Sequence, residues 1–230
     1  MLSNQNLSFA LPDGQKVQCA VQSLVNTGFA GRDRSVVESH IQELKKLGVP
    51  VPTQIPSFYP VSSYLAIQTN RIQAQHAATS GEVEYVVFMV GERIYITVGS
   101  DHSDREIERT CVPLAKQACA NVLASQAWDY TEIADHWDQI QLRSWLRKEN
   151  EWHLYQDGSL SQLWKPDALI ERWLGTASES TDGLMIFSGT LPTIGGLQYG
   201  SAFRFELADA VRGRSIMGEY EVEVLPPPVE

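Results

Sequence analysis

The chain has 230 residues and a mass of 25.7 kDa, a length that fits one large domain better than two small ones. Hydrophobic residues make up 43% and charged residues 20%, the composition of a globular protein that can bury a core. The net charge of −10 argues against nucleic acids and anionic membranes as partners, and no apolar run approaches the roughly 18 residues of a membrane span.

The first 60 residues are expected to hold a strand, a helix and a loop. Residues 17–25 predict one strand. Across residues 35–47 apolar side chains recur with helical spacing, and Gly48 and Pro50 supply the stop signal of an amphipathic helix. The prolines that follow predict an extended loop over residues 50–60, because each proline fixes φ and removes a backbone donor.

The rest of the chain is expected to be rich in strands. These are predicted at residues 82–90, 93–98, 140–146, 152–156, 184–188, 202–207 and 215–224, with one short helix at 166–174. The strands do not alternate with helices as they would in a parallel sheet, so the sequence predicts an α+β, β-rich fold. We expect a single domain over residues 1–230, with an N-terminal segment at 1–60 that carries the helix and a β-rich core at 61–230.

The cysteine content indicates the compartment. The chain has three cysteines: Cys19, Cys111 and Cys119. This small and odd number does not fit a disulfide framework. Free thiols are typical of a reducing environment, and the N-terminus has no charged segment followed by an apolar run. We therefore expect a cytoplasmic protein.

Two acidic side chains stand inside a strand-like run. Glu82 and Glu84 are two residues apart, so both project from one face of the strand, and Asp101 follows one strand and turn later. Carboxylates on one face repel each other unless a cation lies between them, and a hard divalent ion takes oxygen ligands of this kind. The alternative is a solvated start of a strand whose acids face water.

The predicted helix carries a second pair. His40 and Glu43 are three residues apart and share a helix face, so the carboxylate can orient the imidazole as a general base. The alternative is a surface His–Glu pair on the polar side of an amphipathic helix. The sequence contains none of the usual nucleophile or nucleotide-binding motifs.

The order of these motifs resembles the fumarylacetoacetate hydrolase superfamily, in particular its single-domain members and the DUF2848 group. The matching elements are His40-x-x-Glu43, Phe58-Tyr59-Pro60, Glu82-x-Glu84, Asp101-x-Ser103-x-Arg105, Lys116, Gln156-x-Gly158 and Ser188-Gly189-Thr190-x-Pro192. Three positions depart from the family pattern: Glu106 replaces an aspartate, Glu108 stands where many members carry a glutamine, and Tyr59 replaces a lysine in the loop.

This resemblance implies a fold and a set of site residues. The fold would be similar to the fumarylacetoacetase C-terminal domain, a mixed β-roll with a short N-terminal lid helix. Glu82, Glu84 and Asp101 would bind Mg²⁺ or Mn²⁺. The family's catalytic positions correspond to His40, Glu43 and Lys116, and its substrate-binding positions to Arg105, Ser103, Gln156, Gly189 and Thr190.

The resemblance also implies a reaction class. A metal-dependent hydrolase of this kind cleaves a C–C bond in a small 2-oxo acid or 1,3-dicarbonyl acid through an enolate that the metal stabilises. A decarboxylase, an isomerase or tautomerase, or a hydratase on the same scaffold is the alternative. A non-catalytic β-rich binding domain is the third possibility. The expected partners are a small anionic oxo acid and, by analogy with the family, a second copy of the chain in a homodimer.

Overall fold

The computed structural model describes residues 5–46, 51–176, 180–227 and 229, without the side chains of residues 40 and 43–46. The strands are β1 Gln5–Ala10, β2 Lys16–Val21, β3 Ser23–Gly28, β4 Ser57–Val61, β5 Ala66–Ile67, β6 Arg71–Ala74, β7 Thr79–Ser80, β8 Val83–Val90, β9 Arg93–Asp101, β10 Ser103–Asp104, β11 Asn121–Leu123, β12 Trp128–Asp129, β13 Gln141–Lys148, β14 Glu151–Ser159, β15 Leu184–Phe187, β16 Ala202–Asp209 and β17 Arg214–Val224. The helices are α1 Arg34–Lys46, α2 Arg105–Glu108, α3 Val112–Gln117 and α4 Pro166–Leu174.

A mixed eight-stranded sheet forms the centre of the molecule. Its order is β4-β3-β15-β8-β9-β11-β5, and β12 pairs with β9 beside β11. A second sheet has the order β14-β13-β16-β17-β6. Most neighbours are antiparallel, but β15 pairs with β3, β11 with β5 and β17 with β6 in parallel. This β-rich mixed architecture confirms the predicted fold class.

The central sheet is buried on both faces. Along β8, Val83, Tyr85 and Val87 belong to the core shared with the five-stranded sheet and α4. The alternate residues Val86 and Phe88 belong to a second core, shared with the β1–β2 hairpin. The side chains of β8 therefore alternate between two cores, which explains why the strand is almost continuously apolar in sequence.

Several predicted elements are confirmed closely. Helix α4 has the predicted bounds, and α1 begins within one residue of its predicted start. The Oδ1 atom of Asp33 caps α1 by accepting from the backbone N–H of Ser35 at 2.9 Å. The stop signal at Gly48 and Pro50 lies outside the described residues.

Other predictions were wrong in detail. Residues 17–25 form parts of two strands, β2 and β3, which belong to different sheets. The expected loop at 50–60 contains strand β4, and Pro60 is accommodated there because β4 is the last strand of its sheet. The predicted strand at 152–156 lies within the longer β14, where a bulge opposite Ser144 and Trp145 shifts the pairing and Leu154 is 43% exposed.

The N-terminal segment contributes directly to the core. Strand β3 lies between β4 and β15 inside the central sheet, and the β1–β2 hairpin covers one of its faces. Helix α1 buries Val37 and Ile41, and its other described side chains are exposed. No helix among the described residues is long and apolar enough to cross a membrane.

Candidate metal centre

Three carboxylates converge where β8 begins and β9 ends. The backbone N–H of Asp101 donates to the carbonyl of Glu82 at 3.1 Å, and Glu84 stands opposite Gly99 in the antiparallel pair. Opposite residues in such a pair share a face of the sheet. One oxygen from each of Glu82, Glu84 and Asp101 therefore lies within 4.8 Å of the others.

Gly99 allows the next strand to approach. A Cβ atom at this position would lie 2.7 Å from the carbonyl oxygen of Val122 and 2.9 Å from the ring of Phe187. Only glycine avoids this overlap, so β11 can pair closely with β9. This pairing places Asn121 directly opposite Asp101.

Two buried cations face the three carboxylates. Lys116 extends from α3 and hydrogen-bonds Asp101 Oδ2, with its Nζ atom 3.5 Å from Glu82 Oε2. Arg105 opens α2, and its Nη2 atom lies 3.1 Å from Glu82 Oε1. The same guanidinium contacts Glu108 at 2.7 Å. Glu82 is thus paired twice and Asp101 once, whereas neither cation is paired with Glu84.

The pKa values follow from this unequal pairing. Burial raises the pKa of Asp101 to about 6 despite the nearby ammonium of Lys116. Burial and the charge of Asp101 raise the pKa of Glu84 well above its usual range. Burial also acts on Glu82, but Arg105 and Lys116 outweigh it and lower the pKa of that carboxyl. The centre therefore has more carboxylate than its two cations stabilise.

Two oxygens of the centre have no hydrogen-bond partner within the described structure. Glu84 Oε1 and Asp101 Oδ1 are both buried in this way. The other oxygen of Glu84 accepts from the backbone N–H of Gly189 at 2.8 Å. A buried acceptor without a partner costs about 1–3 kcal/mol. A hard divalent cation would satisfy both oxygens, and three carboxylates suit its preference for oxygen ligands, so the residues fit such an ion.

Gln156 and Thr190 hold the turn that follows β15. Gln156 is fully buried; its oxygen accepts from the Val83 N–H at 3.0 Å, and its amide donates to Thr190 Oγ1 at 2.7 Å. The Thr190 hydroxyl donates to the Val83 carbonyl at 2.7 Å. These bonds fix the turn against β8, so that the N–H of Gly189 points at Glu84.

Ser103 and Arg105 continue the centre beyond β9. Ser103 lies on β10 opposite Ser80 of β7, and its buried hydroxyl has no hydrogen-bond partner among the described residues. The Nε atom of Arg105 donates to Ser80 Oγ at 2.8 Å. His102, between Asp101 and Ser103, bonds Tyr220 of the second sheet at 2.8 Å instead.

The predicted His40–Glu43 pair stays a prediction. Both residues belong to α1, whose backbone is described, but their side chains lie outside the description. The other predicted site residues lie at or next to the triad, on α2, α3, β10 and β14 and in the turn after β15. The centre thus gathers residues from distant parts of the sequence.

The sequence did not single out an asparagine pair beside the triad. Asn121 Nδ2 donates to Asn26 Oδ1 at 2.6 Å, and both side chains are fully buried. Asn26 lies on β3 and Asn121 on β11, with three strands between them in the sheet order, so the central sheet must curl to bring them together. The ring of Tyr59 lies 6.0 Å from Lys116 Nζ. The only feature of the sequence that could have indicated these two asparagines is that each is a polar residue inside an apolar run.

The fold and this acidic centre agree with the family comparison. The chain belongs to the DUF2848 family, described as a family of proteins of unknown function, whose model matches residues 27–220. The family resemblance seen in the sequence is thereby confirmed. The sequence matches no curated protein.

Solved structures share the fold at low sequence identity. A yeast fumarylacetoacetate hydrolase family protein matches with a TM-score of 0.64 and 15% identity, covering 91% of this chain and 96% of that one. A 2-keto-3-deoxy-D-arabinonate dehydratase, complexed with magnesium and 2,5-dioxopentanoate, matches at 0.60 and 15% over 88% and 73%. Maleylpyruvate hydrolase from Sphingobium sp. SYK-6 matches at 0.61 and 9% over 91% and 75%.

Proposed function

We propose that this protein is a divalent-metal-dependent enzyme that cleaves a C–C bond in a small 2-oxo acid or 1,3-dicarbonyl acid by hydrolysis. Two observations on the same side chains carry the proposal. Glu84 and Asp101 each have a buried oxygen without a hydrogen-bond partner among the described residues, and one oxygen from each of Glu82, Glu84 and Asp101 lies within 4.8 Å of the others. The fold of maleylpyruvate hydrolase and of a magnesium-bound dehydratase supports it. Mg²⁺ or Mn²⁺ is the proposed ion.

The residues around the triad have distinct proposed roles. Glu82, Glu84 and Asp101 would hold the ion, which supplies Lewis-acid stabilisation of an enolate when bound. Lys116 and Arg105 keep positive charge beside the carboxylates and favour an anionic substrate. A buried Ser103 hydroxyl and the turn at residues 188–191 offer polar groups on either side of the centre.

The test of the metal site is thermal stability with and without Mg²⁺ or Mn²⁺. A ligand that binds only the folded state raises the melting temperature, so the wild type should be stabilised at saturating ion. Glu84→Gln keeps the shape of the side chain but removes its charge, and should abolish the rise, as should Asp101→Asn. Glu92→Gln removes the same charge from an exposed turn and should leave the rise intact. An equal rise in all four proteins would refute the site.

His40, oriented by Glu43, is the proposed base that activates water. His40→Ala should lower kcat by about 10²–10⁴-fold while metal-induced stabilisation survives, because a base acts mainly in the transition state. Glu43→Gln should lower kcat less, since the imidazole remains. Full activity of His40→Ala on the acid identified by a screen of acylpyruvates and oxaloacetate would exclude this role.

A lyase reaction is the second candidate. The magnesium-bound neighbour is a dehydratase, so the same scaffold supports elimination chemistry in that protein. Solvent labelled with ¹⁸O distinguishes the two proposals, because hydrolysis places the label in a product carboxylate, whereas elimination of water or decarboxylation does not. The proposal is completed by a small anionic oxo acid as ligand and by a homodimer in the cytoplasm as the working form.

A further inference from the structure

A cavity of about 650 Å³ lies between the start of α1 and α4, outside the acidic centre. Its volume falls within the range of small-molecule sites. Ile55, Trp164 and Ala168 contribute to an apolar wall, and Lys165 and Arg172 are among the charged residues that line it. The cavity thus combines apolar surface with a few charged groups, as ligand sites do.

The charge of the cavity is opposite to that of the molecule. The chain has a net charge of −10, yet the described lining includes four basic residues and one carboxylate, that of Asp167. Two of the basic side chains are already paired, since Arg32 contacts Asp138 at 2.8 Å and Arg34 contacts Glu38 at 2.9 Å.

The other two cations differ in this respect. The side chains of Lys165 and Arg172 make neither a hydrogen bond nor an ion pair within the part of the chain that the structure describes. Asp167 accepts a hydrogen bond from the Tyr130 hydroxyl at 3.0 Å. Two free cations beside an apolar wall favour an anion with an apolar body over either a neutral molecule or an inorganic anion.

The cavity is distinct from the acidic centre but close to it. The N–H of Trp164 donates to the carbonyl of Ala30 at 3.2 Å, and the Tyr85 hydroxyl donates to the Trp164 carbonyl at 2.5 Å. Ala30 in turn lies against Gly189, whose N–H binds Glu84. None of the three carboxylates and neither Lys116 nor Arg105 lines the cavity.

We propose that this cavity is a second binding site, which takes a carboxylate attached to an aromatic or similarly flat apolar group. Lys165 and Arg172 bind the carboxylate, and Trp164, Ile55 and Ala168 contact the apolar group. This site goes beyond the proposed reaction, because none of its residues belongs to the candidate metal centre. The proposal of a second site is therefore independent of the reaction that the metal centre carries out.

The test is calorimetric titration of the metal-free protein with 2-naphthoate, a flat aromatic carboxylate. The double variant Lys165→Gln with Arg172→Gln should bind it about three- to tenfold more weakly than the wild type, because two partly exposed charge pairs are lost. Arg212→Gln removes an exposed charge from the turn between β16 and β17 and should leave the affinity unchanged. The neutral 2-naphthamide should bind more weakly than 2-naphthoate.

Asp101→Asn separates this proposal from the metal centre. It should bind 2-naphthoate as tightly as the wild type while losing its response to Mg²⁺. Absence of binding to the wild type, equal affinity in the double variant, or tight binding of 2-naphthamide would each overturn the second site. A 2-naphthoate affinity that changes in Asp101→Asn would overturn it too, because the probe would then lie at the acidic centre.

Discussion

Lys116 is the residue on which the electrostatics of the acidic centre depend. It is buried, and its ammonium contacts Asp101 and lies 3.5 Å from Glu82. Burial opposes its charge, but the charges of Asp101, Glu82 and Glu84 outweigh that effect and raise the pKa of Lys116 above its usual value. The side chain is therefore held as a cation beside the carboxylates at neutral pH.

Replacement of this cation should destabilise the protein. Lys116→Met keeps the length of the side chain but leaves Asp101 without its counter-charge, which we expect to cost about 3–5 kcal/mol of the free energy of unfolding without metal. Saturating Mg²⁺ should then raise the melting temperature of Lys116→Met more than that of the wild type, because the ion replaces the missing positive charge.

Thermal melts with and without the ion measure both effects. Lys16→Met, which removes an exposed cation from β2, serves as the control and should behave as the wild type does in both conditions. A Lys116→Met protein that melts like the wild type without metal would contradict the electrostatic role assigned to this side chain.

Strand β9 is the element that organises the site, because β8 and β11 both pair with its acidic end. It pairs with β8 along its length and with β11 and β12 on its other side. The pairing with β11 requires the close approach at Gly99, two residues before Asp101. The position of the Asp101 carboxylate therefore depends on the close contact between β9 and β11.

Gly99→Ala should disturb this contact. The added methyl group would overlap the carbonyl of Val122, and we expect a loss of about 1–3 kcal/mol in the free energy of unfolding with a weaker response to Mg²⁺. Gly175→Ala is the matched control, because a Cβ atom there meets its nearest neighbour at an ordinary 3.5 Å. Denaturant unfolding measures both variants, and equal stability would show that β11 can shift without cost.

At the scale of the whole molecule, the layers are also joined by a polar cluster far from the acidic centre. His136, in the 3-10 segment Ala134–Gln139, contacts Asp135 at 2.6 Å and Asp209 of β16 at 3.0 Å. Arg214 of β17 contacts the same Asp209 at 3.3 Å and Glu132 at 2.8 Å. The cluster ties the 3-10 segment to the five-stranded sheet.

This cluster should make global stability depend on pH. Burial opposes protonation of His136, but its hydrogen bonds with Asp135 and Asp209 outweigh burial and raise its pKa above the usual value. A raised folded-state pKa contributes stability that is complete below the unfolded pKa of about 6.5 and is lost as pH rises through the folded pKa.

The difference in melting temperature between the wild type and His136→Gln should therefore be larger at about pH 5.5 than at about pH 9. His153→Gln, on the exposed face of β14, should show no such trend. A difference for His136→Gln that is constant over this range would mean that the imidazole is not held in its charged form.

The sequence by itself determined the parts of the molecule that depend on neighbouring residues. The apolar, β-branched runs of β8 and β9 and the proline at the start of α4 placed those elements within three residues. The spacing of Glu82 and Glu84 placed two carboxylates on one face before any partner strand was known. These features follow from the periods of the helix and the strand, which a few residues suffice to reveal.

Only the tertiary structure decided what surrounds those carboxylates. The contact between Asn26 and Asn121 spans 95 positions of sequence and depends on the curl of the central sheet. Pairing of Lys116 with Asp101, and the orphaned oxygens of Glu84 and Asp101, arise from strand order and helix placement rather than from local spacing. Burial and charge pairing depend on every element packed around a group, and no local pattern encodes them. The sequence therefore predicted which carboxylates come together but not their electrostatics.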